Sequence, residues 1–245
     1  MCGRYELHAS PAAIALAFGL PAPPALAPRY NIAPMQDVPI VRVHAQGARE
    51  LVLVRWGLVP RWAKDPSIGS RMINARGETP KEKPAFRTAY RRHRCLLPAS
   101  GFYEWMPRDG GKQPVHIAMA DGGPFALAGL SERWLGPEGE PLDTCTIVTT
   151  QANDLLRAVH ERMPVIVPPE AYARWLDPSI ADPADLLAPY PSAAMRWTPV
   201  STRVGSIRHD DPSLIEPLEA PPPGASAEPP PPPPARKPPK QSALF

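Results

Sequence analysis

The sequence predicts an α+β fold in which a mixed, largely antiparallel sheet closes into a barrel-like core with flanking helices. Short runs of apolar or alternating side chains, bounded by Gly, Pro or Asp, predict strands along most of the chain. These runs follow one another without a regular helix between each pair, which argues against a doubly wound parallel sheet. With 245 residues, 43% of them hydrophobic, the chain is long enough to bury the core of one domain.

Six runs have strand character and four have helical character. The predicted strands lie at residues 37–44, 49–59, 93–105, 113–120, 125–134 and 144–150. Helical spacing of apolar residues, with Ser, Asn or Pro near several starts, predicts helices at residues 10–20, 83–93, 151–163 and 168–177.

The end of the chain differs in composition, because 12 of the 38 prolines fall in residues 217–245. Proline lacks an amide donor and restricts φ, so this stretch is predicted to be extended polyproline II rather than helix or interior strand. We therefore expect one folded domain over residues 1–216 and a disordered linker over residues 217–240.

Charge and cysteine usage exclude several classes of protein. The formal net charge of +3 permits a nucleic-acid partner without requiring one. Cys2, Cys95 and Cys145 lack the spacing of a zinc site or a disulfide framework, so no metal and no cofactor are predicted. Since neither a signal peptide nor a membrane-spanning run is found, we expect a cytoplasmic monomer with no membrane partner.

A cysteine follows the first methionine, and removal of that methionine would leave Cys2 with a free amine and a free thiol. With ordinary pKa values of about 8 for the amine and about 8.5 for the thiol, both nucleophiles are usable near neutral pH. An aldehyde can form an imine with the amine, after which the sulfur closes a five-membered thiazolidine ring. Hydrolysis of an amide or ester by the same terminal nucleophile is an alternative. A tolerated small residue without chemistry is another.

The stretch "RMINARGET" places three polar residues at alternate positions: Asn74, Arg76 and Glu78. If the segment is extended, the three side chains point to one face.

Two further residues suit proton transfer. Glu104 stands between two aromatic residues at the end of an apolar strand, and such surroundings raise the pKa of a carboxyl group. An outward strand residue in a salt bridge is the alternative for Glu104. His160 comes at a predicted helix end before a Met-Pro strand start, where a capping or core histidine is the alternative to a catalyst.

The stretch "VRWGLVPRWAKD" mixes flat aromatic surface with cations. Trp56 and Trp62 lie among arginines and a lysine, a combination that can stack bases and pair phosphates of single-stranded nucleic acid. Two such tryptophans are equally what a small core uses.

Six separated stretches in this order resemble the SOS response-associated peptidase (SRAP) family: "MCGRY", "RYNIAPMQ", "RWGLVPRWAKD", "INARGET", "CLLPASGFYEW" and "VHERMPVIV". The resemblance runs from Cys2 to about Glu216. It implies the SRAP fold and an enzyme that links its terminal cysteine, as a thiazolidine, to the aldehyde of an abasic site in single-stranded DNA. The family was named for a presumed peptidase activity, which would include removal of its own first methionine.

The resemblance also implies a role for each matching residue. Cys2 matches the nucleophile, and Asn74 matches the asparagine that positions the amine and the opened sugar. Glu104 matches the acid that handles protons during imine formation and ring closure. His160 matches the histidine that favours opening of the sugar ring and helps to reverse the crosslink.

Contacts with DNA are implied for four residues: Arg4, Arg76, Trp56 and Trp62. The two arginines would meet phosphates, which position a strand without reading its sequence. The two tryptophans would form an aromatic wall.

The last five residues, "QSALF", resemble the pentapeptide with which bacterial replication and repair proteins bind the sliding clamp. In that peptide Leu244 and Phe245 would fill an apolar pocket and Gln241 would anchor the backbone. A short peptide on a disordered tether is well placed to dock. The replication sliding clamp is therefore a predicted partner, with an inert terminus as the alternative.

Overall fold

The computed structural model describes residues 2–44 and 47–218. The strands, in chain order, are β1 (Tyr5–Leu7), β2 (Arg29–Ile32), β3 (Asp37–Val43), β4 (Arg49–Trp56), β5 (Asn74–Arg76), β6 (Arg94–Ala99), β7 (Gly101–Arg108), β8 (Gly111–Met119), β9 (Phe125–Leu135), β10 (Pro141–Gln151), β11 (Arg162–Pro164), β12 (Ile166–Val167) and β13 (Met195–Pro199). The α-helices are α1 (Pro11–Phe18), α2 (Arg87–Arg92) and α3 (Tyr172–Leu176).

Five strands close into a barrel, in the order β10, β4, β3, β6 and β9, with β9 pairing back onto β10. The pairing of β4 with β10 is parallel, whereas the other barrel pairs are antiparallel. The strands β5, β11 and β12 extend the barrel sheet at its margins. The predicted α+β class and the mixed sheet that closes on itself are thus confirmed.

A second, antiparallel sheet flanks the barrel in the order β13, β8, β7, β1 and β2. The strand β1 lies between β7 and β2, with Tyr5 opposite Phe102 and Ile32. Because β1 begins three residues after Cys2, this pairing determines where the start of the chain lies.

All six predicted strand runs contain strands, and one run is divided between two of them. The run at 93–105 is divided at Ser100 into β6 of the barrel and β7 of the flanking sheet. Ser100 Oγ accepts hydrogen bonds of 3.1 Å from the amides of His8 and Ala9, so the corner is tied to the chain after β1.

Of the four predicted helices, three are present in whole or in part and one is absent. Ser10 caps α1 as predicted, but in the run at 83–93 only α2 is helical, and in the run at 168–177 a short 3-10 turn precedes α3. The helix predicted at 151–163 is wrong, because residues 154–159 form turns. Asn153 accounts for the difference: its Oδ1 accepts from Leu156 N and its Nδ2 donates to Tyr190 O, so side-chain bonds replace a continuing helical ladder.

Candidate active site

Cys2 is fully buried three residues before β1, close to Asn74 of β5 and within reach of the charge of Glu104 on β7. Burial raises the pKa of its thiol well above the ordinary value, and the charge of Glu104 raises it further. The resting thiol is therefore protonated, and any reaction at sulfur needs a group that accepts this proton.

Asn74 holds the backbone of Cys2. It opens β5, which pairs in parallel with β10 so that Asn74 lies opposite Ile147. Its Nδ2 donates a hydrogen bond of 2.9 Å to the carbonyl oxygen of Cys2. Its Oδ1 is buried and accepts no hydrogen bond from the described residues, so this acceptor is available to an amine or hydroxyl group brought in by a substrate.

Glu104 supplies the acid of the site from β7. The residue is 5% exposed, and burial raises the pKa of its carboxyl while the nearby charge of His160 acts in the opposite sense. A carboxyl group whose pKa is moved towards neutrality can both donate and accept a proton.

His160 is half-buried and lies between the turns at 154–159 and β11. Its Nδ1 lies 2.9 Å from the amide nitrogen of Arg162 and 3.2 Å from the carbonyl oxygen of the same residue. The backbone of β11 therefore orients the imidazole ring in either of its neutral tautomers.

The structure therefore brings together four residues that lie far apart in the sequence. Asn74 bonds directly to Cys2, the charge of Glu104 acts on the Cys2 thiol, and the charge of His160 acts on Glu104. Their catalytic roles stay predictions, but their proximity is a property of the fold.

The two arginines predicted at phosphates have different surroundings. Arg4 is half-buried, and its Nη1 donates to Asn31 Oδ1 at 2.8 Å and to Val204 O at 2.9 Å. It thereby ties the start of the chain to residues near the end of the domain. Arg76 is exposed and follows Asn74 at the alternate position of β5, so both point to the same face of the strand.

The two predicted tryptophans also differ. Trp56 is fully buried, donates through Nε1 to Ile73 O at 2.9 Å and packs edge-on against Tyr5. Its ring is part of the core and has no exposed surface with which to contact a base. Trp62 is 59% exposed and retains the surface that the predicted DNA contact requires.

Glu78 does not continue the strand as predicted, because β5 ends at Arg76 and Glu78 lies in the following turn. Its carboxylate accepts two hydrogen bonds, at 2.9 and 3.0 Å, from Arg162. Sequence reasoning missed Arg162, which also donates to Thr149 O at 2.7 Å and so links β10, β11 and the turn that contains Glu78. Its position two residues after His160 is the signal that was available.

Sequence reasoning also missed a cluster that anchors β1 on the face of the flanking sheet opposite to Glu104. Glu6 is fully buried, with Oε2 at 2.7 Å from His8 Nδ1 and Oε1 at 3.1 Å from His116 Nε2. Burial alone would raise the pKa of Glu6, but the hydrogen bonds from the two histidines outweigh it and hold the pKa below the ordinary value. A Cβ at Gly101 would lie 2.1 Å from His116 Nε2, so the cluster fits only beside a glycine.

Two general features concern the described residues alone. They contain no group of three or more His, Cys, Asp or Glu side chains arranged to hold a metal ion. Within residues 2–44 and 47–218, no helix is long and apolar enough to cross a membrane.

A family model described as SOS response associated peptidase (SRAP) matches residues 1–207. The chain belongs to the SRAP family. Abasic site processing protein YoqW of Bacillus subtilis is 45% identical over 193 residues, which is 77% of this chain and 86% of YoqW. Abasic site processing protein HMCES of Gallus gallus is 34% identical over 224 residues, which is 78% of this SRAP chain and 67% of HMCES.

The fold comparison agrees. A crystal structure of a protein from Bacteroides thetaiotaomicron superposes with a TM-score of 0.80 at 27% identity, covering 89% of this SRAP chain and 100% of its own. The predicted clamp-binding residues, Gln241, Leu244 and Phe245, and all but the first two residues of the predicted linker at 217–240 lie outside the described residues.

Proposed function

We propose that this SRAP protein captures abasic sites in single-stranded DNA by forming a covalent thiazolidine with Cys2 once Met1 has been removed, as part of an SOS-type response to DNA damage. The observation that carries the proposal is the hydrogen bond of 2.9 Å from Asn74 Nδ2 to Cys2 O, which holds the start of the chain beside Glu104. Relatives named abasic site processing proteins support the choice of substrate.

The proposed reaction begins with opening of the abasic sugar. The cyclic form of the sugar is a hemiacetal, which yields an aldehyde when a proton moves from its hydroxyl to its ring oxygen. His160 is proposed to relay this proton: its imidazole accepts the proton of the hydroxyl and then donates it to the ring oxygen. The amine of Cys2 then adds to the aldehyde carbon, and the buried Oδ1 of Asn74 accepts a hydrogen bond from that amine.

Imine formation and ring closure require opposite proton movements, and Glu104 is suited to both. Its raised pKa favours the protonated acid, which donates to the departing hydroxyl group so that water is lost. The resulting carboxylate then takes the proton of the Cys2 thiol as sulfur bonds to the imine carbon. The nitrogen keeps the one hydrogen left from the amine and loses its positive charge as sulfur bonds, so the five-membered ring is closed with one water released overall and Glu104 is again the acid.

The experiment is a crosslinking assay with processed protein and a single-stranded oligonucleotide that contains one abasic site. We expect an adduct that survives denaturing electrophoresis, and we expect Cys2→Ala to remove it. Cys95→Ala is the matched control, because Cys95 is equally buried but lies on β6 among core residues. The proposal fails if no adduct forms or if the Cys2→Ala protein forms it equally well.

A peptidase or amidase with an amino-terminal nucleophile, which would include autocatalytic removal of Met1, is the second candidate. The description of the family as a peptidase favours it. In that reaction the amine of Cys2 serves as base for its own thiol, so turnover of an amide would proceed without DNA. Measurement of amide hydrolysis with and without abasic DNA separates the two functions.

We also propose that residues 241–245 bind the replication sliding clamp. The support is the sequence alone: Leu244 and Phe245 follow a proline-rich, largely polar stretch. Replacement of both by Ala should abolish capture of the purified clamp, whereas Ser242→Ala should not, because that side chain is not an anchor. Crosslinking to abasic DNA should be unchanged in both proteins, and clamp capture that survives the double replacement would refute the idea.

A further inference from the structure

A basic cleft lies outside the candidate active site, between the end of α2, the strand β3 and the chain that follows α3. It consists of two adjoining cavities of about 320 and 510 Å³. We call it the arginine cleft and define it by its basic side chains: Arg42, Arg91, Arg92, His93 and Arg94. Among the described residues that line the two cavities, none is an aspartate or a glutamate.

Much of this positive charge is not neutralised. Arg91 and Arg92 are exposed and form no ion pair with the described residues. Arg94 is 4% exposed, and its guanidinium donates to backbone carbonyls of Tyr90, Trp175, Asp177 and Ile180 rather than to a carboxylate. Arg42 alone of the four arginines has a carboxylate partner, Glu50 at 2.7 Å.

The imidazole of His93 is close enough to several arginines for their charges to shift its pKa. Burial lowers its pKa, and Glu132 acts in the opposite sense. The charges of three arginines lower it further: Arg61, Arg92 and Arg42. Arg42 and Arg92, which line the cleft, therefore act on the His93 ring as positive charges.

Helix stability explains only part of this arrangement. Arg91 and Arg92 occupy the last turn of α2, where cations interact favourably with the helix dipole. Arg42, however, comes from β3 and lines the same cleft, whereas the donors of the buried Arg94 are taken up by backbone carbonyls. Convergence of guanidinium groups from separate elements is typical of surfaces that bind phosphate, because each group offers a planar pair of donors.

The register of the barrel gives the distance from the cleft to the active site. Cys95, which follows Arg94, lies opposite Gly129, which lies opposite Ile147, which lies opposite Asn74. Three strand spacings of about 4.8 Å place the start of β6 about 14 Å around the barrel wall from Asn74. At 3.4 Å per stacked nucleotide, this is about four nucleotides.

We propose that the arginine cleft binds backbone phosphates of the DNA strand that flanks the target nucleotide. The inference rests on the proposed DNA substrate but not on the covalent chemistry. Phosphate contacts of this kind carry no sequence information and give a binding constant that depends on salt.

The test compares two double variants of the full chain that change the net charge equally. R91Q/R92Q removes the two exposed arginines of the cleft. R108Q/R174Q removes two exposed arginines that line neither cavity of the cleft. Binding of an undamaged single strand of about 30 nucleotides is measured by fluorescence anisotropy across a series of salt concentrations.

We expect R91Q/R92Q to reduce the slope of log K against log salt by about 1.4, which is two contacts at about 0.7 each. The slope of R108Q/R174Q should match that of the unsubstituted protein. Equal slopes for all three proteins would overturn the proposal. A cleft that binds an acidic protein rather than DNA would give the same equal slopes, and the proposal would then be wrong as well. If abasic DNA is still crosslinked in that case, the proposed function stands while the cleft assignment fails.

Discussion

Replacement of Asn74 by Ala tests how the site holds its nucleophile. The change removes the Nδ2 donor that lies 2.9 Å from Cys2 O and the buried Oδ1 acceptor, whereas the backbone pairing of β5 with β10 is retained. A net hydrogen bond is worth about 0.5–1.5 kcal/mol, so the free energy of unfolding should fall by about 1 kcal/mol. Loss of both contacts in the transition state should slow crosslinking by roughly 10- to 100-fold, at 1.36 kcal/mol for each factor of ten.

The assay is single-turnover crosslinking to an abasic oligonucleotide, followed on denaturing gels, together with urea denaturation. Gln113→Ala is the matched control, because Gln113 Nε2 likewise donates to a backbone carbonyl, that of Val200 at 2.9 Å, but lies on β8 of the flanking sheet. It should lower stability comparably and leave the crosslinking rate within about twofold of the unsubstituted value. Crosslinking by Asn74→Ala at the unsubstituted rate would refute the reasoning, as would equal slowing by both variants.

Two further predictions concern the anchor of β1. Gly101→Ala should lower the free energy of unfolding by about 1–3 kcal/mol in urea denaturation, since its Cβ would collide with the partly buried imidazole of His116. Gly205→Ala, whose Cβ meets nothing within 4 Å, should not, and equal stability of the two variants would contradict this. Because the pKa of the Glu6 carboxyl is lowered, its contribution to the free energy of unfolding is lost as the pH falls. The hydrogen bond to Glu6 raises the pKa of His8, so the contribution of His8 to the free energy of unfolding is lost as the pH rises. Glu6→Gln should therefore lower the melting temperature most between about pH 4.5 and 6.5, and a deficit that is constant from pH 4 to pH 9 would show that the pairing does not matter.

The six alternating or apolar runs located seven of the thirteen strands in the described part of the chain, because these longer strands carry a readable pattern. They did not locate the other six, which have two to five residues each: β1, β2, β5, β11, β12 and β13. The failure at residues 151–163 has a local cause. Leu156 and Val159 are buried at helical spacing, yet turns also satisfy that spacing, and the hydrogen bonds of Asn153 favour the turns. The sequence pattern could not predict that Trp56 is buried either, since a tryptophan beside arginines is found both in cores and on surfaces.

The candidate site was predictable only where the residues stand in recognisable stretches. Cys2, Asn74, Glu104 and His160 were named from such stretches, but nothing in their spacing shows that Asn74 bonds to the carbonyl of Cys2. That contact depends on the parallel pairing of β5 with β10, which is a long-range feature of the barrel. The arginine cleft escaped notice for the same reason, because its members lie on separate elements.

The covalent chemistry at Cys2 is the central claim, and mass spectrometry of the DNA adduct tests it most directly. Processed protein is reacted with an abasic oligonucleotide, digested with nuclease and protease, and sequenced to locate the modified residue. We predict a sugar remnant on Cys2 at the sum of the two masses less one water, with a thiol that no longer reacts with an alkylating agent and a linkage that resists borohydride. A remnant on a lysine, or a Cys2 thiol that is still alkylated in the adduct, would contradict the account.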